Sequence, residues 1–150
     1  TDSELNVIAE GPDLVIHAQD KILECMNDYV HEMHHSSGLL DEVRKSTISI
    51  EEAEAKTLEF LDEHLEKKYK PPLCGNSIGT DRRFLDAQMN SLESRLHYRV
   101  VDVSSIKELA MRWNPEIDAK IVPKMETHRA LDDIIESIEE LKFYRENLFK

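Results

Sequence analysis

The stretch Tyr98–Val103 constrains this chain more than any other, because Val100, Val101 and Val103 make it β-branched and nearly continuously apolar. A half-exposed strand alternates apolar and polar residues, whereas a nearly unbroken apolar strand is one covered on both faces. Covering both faces of a sheet takes helices, so the expected class is α/β, with at least part of the sheet parallel.

The rest of the chain supplies those helices. Leu5–His17 reads as two short extended runs, Asn6–Ala9 and Leu14–His17, bent at Gly11-Pro12. A helix is expected over Gln19–His34, with Ile22, Leu23, Met26, Val30 and Met33 on one stripe. Ser36-Ser37-Gly38 breaks it, and a short helical piece covers Leu39–Lys45. Ser49 and Glu52 form a capping box for a helix to Lys68, burying Ala53, Thr57, Phe60, Leu61 and Leu65 before Pro71-Pro72 ends the element. Leu73–Ile78 is strand-like and leads into a helix over Asp81–Leu96. A second box, Ser105 with Glu108, starts a helix to Trp113, and a polar, proline-containing loop covers 114–126. The last helix, Arg129–Leu148, places Leu131, Ile134, Ile138, Leu141 and Arg145 along one stripe. No repeat or low-complexity tract interrupts the series, and 150 residues at 40% apolar content suit one domain, 1–150, with one core.

Charge narrows the function. Nineteen Lys and Arg against thirty-one acidic residues leave a net charge of −12. Tight binding to long nucleic acid draws on many Lys and Arg contacts to phosphate, so no long duplex is an expected partner. A ligand with one or two phosphates, held by a few local cations, remains compatible; plain solubility is the dull reading of the acidity. Cys25 and Cys74 share no Cys-x-x-Cys spacing, which points to a reducing intracellular compartment, cytoplasm or mitochondrion. No apolar run is long enough for a membrane span, so no membrane is expected. A chain opening on Thr1 rather than Met reads as processed or as a fragment.

Several motifs carry chemistry, each with a duller reading beside it. His31-Glu32-Met33-His34-His35 fits His-Glu-x-x-His, extended by Gly38 and Asp41. On a helix His31 and His35 could grip one zinc with Glu32 as base, as in a zinc protease. Such enzymes place a substrate-binding sheet before that helix, and only two short runs precede it here; a polar helix end is the simpler reading. Asp2 and Glu4 point to one side of an extended segment, but in a polar stretch that reads as a solvated terminus. Asp81, just past a buried strand, is by default a helix cap. His128, Asp132 and Asp133 cluster where the last helix starts. Aspartates there compensate the helix dipole, yet a histidine beside carboxylates also suits a general base next to bound metals. Helical phase makes Asp132 the partner of His128.

Taken together, Leu5–Pro12, Ser37–Leu39, Cys74–Leu85, His97–Leu109 with Arg112-Trp113, and His128–Ile134 with Phe143–Arg145 resemble the oligoribonucleases, members of the DEDDh exonucleases with a ribonuclease H-like fold. The segments occur in family order along the whole chain. The resemblance implies a 3′–5′ exoribonuclease that cuts very short oligoribonucleotides, down to dinucleotides, to 5′-mononucleotides. It implies two Mg²⁺ or Mn²⁺ ions per complete site, with Asp81 and Asp133 as metal ligands and His128 as base. Asp133 thereby displaces Asp132, since His128 then lies in the turn before the helix, where helical phase does not apply. It further implies a homodimer in which Tyr98 reaches the partner's active site, while Arg99, Ser104 and Lys107 cap the substrate's 5′ end from the partner chain. Ser77, His34 and Tyr29 match substrate-contacting positions; many relatives carry Trp where Tyr29 stands, and either ring can stack on a base.

The match also implies what this sequence lacks. The family's first two acids, an Asp-x-Glu on an early strand, have no counterpart, and Thr1 aligns just after the second strand. The expected fold is therefore a ribonuclease H-like mixed sheet flanked by helices, incomplete because its first two strands are absent. The single domain is expected to be truncated at its N-terminus, and the 150-residue chain to be inactive alone, with Val7, Val100 and Val101 exposed. Two rivals stand beside this reading: a catalytically inactive dimerising or oligonucleotide-binding relative, and the zinc protease built on His31, Glu32 and His35.

Overall fold

Parallel pairing between two strands on either side of a helical crossover organises the computed structural model, which describes residues 1–118, Lys120 and residues 129–149. In chain order the elements are α1 (Asp20–Leu23), α2 (Asp28–Ser36), α3 (Leu39–Lys45), α4 (Ile50–His64), β1 (Leu73–Gly75), α5 (Gly79–Gln88), α6 (Asn90–Arg95), β2 (Val100–Asp102), α7 (Val103–Trp113), α8 (Pro115–Asp118) and α9 (Ala130–Leu148). Leu73 pairs with Val100, Cys74 with Val101 and Gly75 with Asp102. Parallel neighbours need a long connection, and α5 and α6 form it.

The α/β class and the parallel pairing are as expected, while several boundaries differ for local reasons. The helix expected over Gln19–His34 is two helices, because the Asn27 side chain accepts a hydrogen bond from the Val30 amide and restarts the helix at Asp28. Ser49 caps α4 as expected, its hydroxyl accepting from the Glu52 amide at 3.1 Å, but the helix stops at His64 rather than Lys68. The element expected over Asp81–Leu96 breaks at Met89, whose φ of −135° and ψ of 62° are not helical. The second capping box is not formed. α7 begins earlier, with Asp102 at its N-cap, and the Ser105 hydroxyl donates to the Asp102 carboxylate at 2.6 Å. The loop expected over 114–126 contains the short α8; its later part lies largely outside the described residues.

Among the described residues the regular sheet has only these two strands. Asn6–Ala9 forms no strand, and Leu14–His17 contributes one parallel bridge, Ile16 with Ile48. Strand β2 is not covered on both faces: Val100 is 39% exposed, and Val7 and Ile8 are exposed as well.

The core lies where α7 and α9 meet. Val103, Ala110 and Tyr144 are fully enclosed, with Ile106, Leu141, Phe143 and Leu148 packed against them. The inward stripe of α9 is thus Ser137, Glu140, Leu141, Tyr144 and Leu148; of the expected one Leu141 packs on the core and Leu131 and Ile138 are partly buried, but Ile134 and Arg145 are exposed. The spacing is still helical, but two of the inward positions are polar, and an apolar count alone passes over them.

Candidate active site

The turn between β1 and α5 is built by polar side chains. Ser77 sits in the left-handed region, at φ 52°. Its amide donates to the Ser104 hydroxyl at 2.9 Å, and that hydroxyl donates in turn to Asn76 Oδ1 at 3.0 Å. Asn76 Nδ2 then donates to Ser137 Oγ at 2.9 Å and to Glu140 Oε2 at 3.2 Å. The Ser137 hydroxyl donates onward to the backbone carbonyl of Asp133 at 2.7 Å. One continuous chain of hydrogen bonds therefore runs from the head of α7, through the β1–α5 turn, to the first turns of α9. Burying Ser137 and Glu140 without such partners would be costly; Asn76 supplies them. The residue types gave no sign of Asn76, Ser137 or Glu140 as a linked group; the only available signal was that all three carry polar side chains beside elements destined for the core.

Two of the expected acids lie on the helices that follow this chain's segments. Asp81 is in the first turn of α5 and exposed, four residues past Ser77. Asp133 is in the first turn of α9 and exposed. Neither carboxylate makes a hydrogen bond or ion pair among the described residues. Asp132 differs: it is partly buried and adds to the field that holds the Arg129 guanidinium protonated, behind the larger contribution of Glu42, whose carboxylate lies 2.7 Å from it. His128 lies outside the described residues.

Tyr98 is 72% exposed and precedes β2; its ring lies tilted against His97 with centroids 4.5 Å apart, and the Arg99 guanidinium lies 5.3 Å from its centroid. Arg99 is exposed and Lys107 partly buried. Ser104 borders a depression of about 370 Å³ lined by Asp102, Ser105, Glu108 and Leu109. On α2, Tyr29 is 75% exposed, while His34 is partly buried with Nδ1 lacking a hydrogen-bond partner among the described residues. The structure thus joins Ser77 to Ser104, and links the segments of Asp81 and Asp133 through Asn76. It makes no such direct link from Tyr29 or His34 to either group.

Carboxylate oxygens suit Mg²⁺ or Mn²⁺, so Asp81 and Asp133 fit the implied ions in kind. In number they do not complete a centre: among the described residues no three or more His, Cys, Asp or Glu side chains converge as a metal site. The same holds for the zinc motif. His31 and His35 stack one turn apart at 6.2 Å, with no third ligand among the described residues. No helix of the described residues is long and apolar enough to cross a membrane.

Comparison with known proteins fits the exonuclease arrangement. A family model described as exonuclease matches residues 1–141, so the chain is a member of that enzyme class. The oligoribonuclease of Rhodococcus jostii is 54% identical over 149 residues, covering 99% of this chain and 75% of that protein. That of Marinobacter nauticus is 53% identical over 150 residues, covering 100% and 82%, and that of Mycobacterium tuberculosis 52% over 149 residues, covering 99% and 69%. The chain belongs to the oligoribonuclease family. Neither the zinc-protease reading nor the inactive-relative reading is favoured by these matches.

Proposed function

We propose that the protein is a 3′–5′ exoribonuclease acting on very short oligoribonucleotides, down to dinucleotides, as a single domain on a ribonuclease H-like sheet whose first two strands lie outside this sequence. The observation that carries the reading is the pair Asp81 and Asp133: two unengaged carboxylates at the heads of two helices, whose segments Asn76 ties together. Unengaged carboxylates beside a rigid polar network are what a site for hard cations requires. Two Mg²⁺ or Mn²⁺ ions bound there would supply neutralisation of charge on the scissile phosphate. Asp81 and Asp133 would hold these cations in part, and a further Asp-x-Glu would complete the set. His128 accepts the proton of the attacking water on its imidazole. The water oxygen bonds to the terminal phosphorus as the P–O3′ bond breaks, the departing O3′ takes a proton from solvent to become the free 3′-hydroxyl of the shortened strand, and a 5′-mononucleotide is released.

Selection for short substrates follows from a closed site shared by two copies of the chain. Tyr29 stacks on a base, and Ser77 and His34 contact the substrate. Tyr98 enters from the partner, where Arg99, Ser104 and Lys107 cap the 5′ end. Of these, Ser104 is the most committed within its own chain, with its proton given to Asn76 and one lone pair to the Ser77 amide. A pocket of this kind needs no basic surface, which reconciles phosphate chemistry with a net charge of −12. The compartment is intracellular, in keeping with two free cysteines.

The test is release of 5′-mononucleotides from a 5′-phosphorylated diribonucleotide, with Mg²⁺ or Mn²⁺ and with chelator. The enzyme carrying an upstream Asp-x-Glu turns over only with metal, and the 150-residue chain does not. Activity that survives chelation, or a long duplex cut as readily as the dinucleotide, overturns the reading.

A further inference from the structure

The mechanism gives no work to Arg82, although it is among the most heavily bonded side chains in the protein. Its guanidinium donates to the backbone carbonyls of His97 at 2.7 Å and Tyr98 at 2.8 Å. From the other side, Nε and Nη2 grip Glu93 Oε1 at 3.2 Å and 2.6 Å. Both side chains are largely enclosed, so this pair is screened far less than a surface one. Arg82 follows Asp81 directly on α5, Glu93 lies on α6, and the two carbonyls belong to the link into β2. Three segments are pinned by one planar fork.

We infer that Arg82 is a positioning residue for Tyr98, fixing the backbone from which the exposed Tyr98 ring leaves its own subunit. The inference rests on the proposed shared site. The ring is 72% exposed and its ring neighbours among the described residues are the adjacent His97 and Arg99, so no ring neighbour distant in sequence aims it. The backbone at residues 97 and 98 is what is held from elsewhere: Arg82 takes both carbonyls, and the His97 amide donates to the Pro71 carbonyl at 2.9 Å, so Arg82 alone fixes the carbonyl side of Tyr98 itself. Lysine cannot replace the fork: one ammonium cannot span a carboxylate and two carbonyls in a plane. A misplacement of about 1 Å in a catalytic group costs on the order of 100-fold in rate.

A positioning role in trans has a signature that general destabilisation lacks. In the enzyme with its full set of carboxylates, mixed dimers are purified in two arrangements. In the first, one subunit carries Arg82→Lys and its partner Asp133→Asn. The intact metal-binding site then receives Tyr98 from a subunit whose Arg82 is intact, and about half of wild-type activity is expected. In the second, one subunit carries both substitutions and its partner none. The intact site then receives a misaimed Tyr98, and activity is expected to fall at least tenfold below the first arrangement. Equal activity in the two arrangements, or the reverse order, overturns the role. Tyr98→Ala in the same two arrangements is the control. If it shows the trans pattern and Arg82→Lys does not, the Arg82 inference alone fails; if it does not, the shared site itself fails. Glu93→Gln, which leaves the carbonyl contacts and weakens their backing, should show the same order to a smaller degree and serves if Arg82→Lys does not fold. A fluorine label on the Tyr98 ring adds a readout free of turnover: its ¹⁹F line should sharpen to that of a mobile ring in Arg82→Lys, and an unchanged line contradicts the inference.

Discussion

Asn76 and Ser137, sixty-one residues apart in sequence, are joined by a 2.9 Å hydrogen bond. The same Asn76 amide reaches Glu140, only 6% exposed, and its carbonyl oxygen accepts from Ser104. Asparagine suits the position because it both donates and accepts; aspartate at neutral pH only accepts. Asn76→Ala should therefore cost about 2–3 kcal/mol, the range for withdrawing the partner of buried polar and charged groups, read from urea denaturation. Asn76→Asp faces the Glu140 carboxylate with a second one. That repulsion raises the folded-state pKa of the new acid above its unfolded value, so stability is lost as pH rises through that interval. Asn76→Asp should thus be weaker relative to wild type at pH 8 than at pH 4; a constant difference counts against direct contact with Glu140.

Capping at Ser49 gives a second measure. Its hydroxyl accepts from the Glu52 amide at 3.1 Å, and the Glu51 carboxylate is held below its usual range by its own backbone amide and by the Ser49 hydroxyl. Ser49→Ala removes the acceptor and should lower stability by about 1 kcal/mol. Thermal unfolding followed by circular dichroism checks it, with Ser49→Asp expected to recover most of the loss.

These two cases mark what the sequence made legible. Ser49, Gly38 and the valines of β2 act locally, so capping, the helix break and the strand were readable from nearest neighbours. The identity of Asp81 and Asp133 as site candidates came from the ordered resemblance, not from local chemistry, which offered only helix caps. The inward face of α9 was missed because Ser137 and Glu140 look like solvent-facing residues until Asn76 is folded against them. Arg82 was missed for the same reason: its partners are two backbone carbonyls and Glu93, none of which is marked by residue type.

Cys74 offers a test by pH. The residue reaches solvent, yet burial of its sulfur raises the thiol pKa above the ordinary value. Its thiolate is scarcer than that of an unhindered thiol at the same pH. The unfolded chain ionises first, so this group takes away stability as pH rises past the ordinary thiol pKa. Iodoacetamide labelling followed by mass spectrometry should find Cys74 slower than a free peptide thiol at pH 8, with the gap closing under denaturant. Equal rates in the folded protein contradict the shift.

The choice between neighbouring aspartates is the sharpest test of the site. Helical phase from His128 favours Asp132, whereas the family spacing favours Asp133. Their surroundings differ in a way that separates metal binding from scaffolding. Asp132 is partly buried and, behind Glu42 and Asp13, adds to the negative field that raises the Arg129 pKa. Asp133 is exposed, its carboxylate makes no hydrogen bond or ion pair among the described residues, and its backbone carbonyl is fixed by Ser137. A scaffold residue spends its charge inside the protein; a metal ligand keeps it for the ion. Asp133→Asn should therefore cut turnover by on the order of a thousandfold or more in the enzyme with its full set of carboxylates, with the melting temperature unchanged or raised when metal is absent. Asp132→Asn should lower the melting temperature slightly and keep most of the turnover. Mn²⁺ titration followed by electron paramagnetic resonance adds a readout without turnover: Asp133→Asn should weaken binding and Asp132→Asn should leave it near wild type. If Asp132→Asn abolishes both binding and turnover while Asp133→Asn retains them, the ligand is Asp132 and the helical phase from His128 was the better guide.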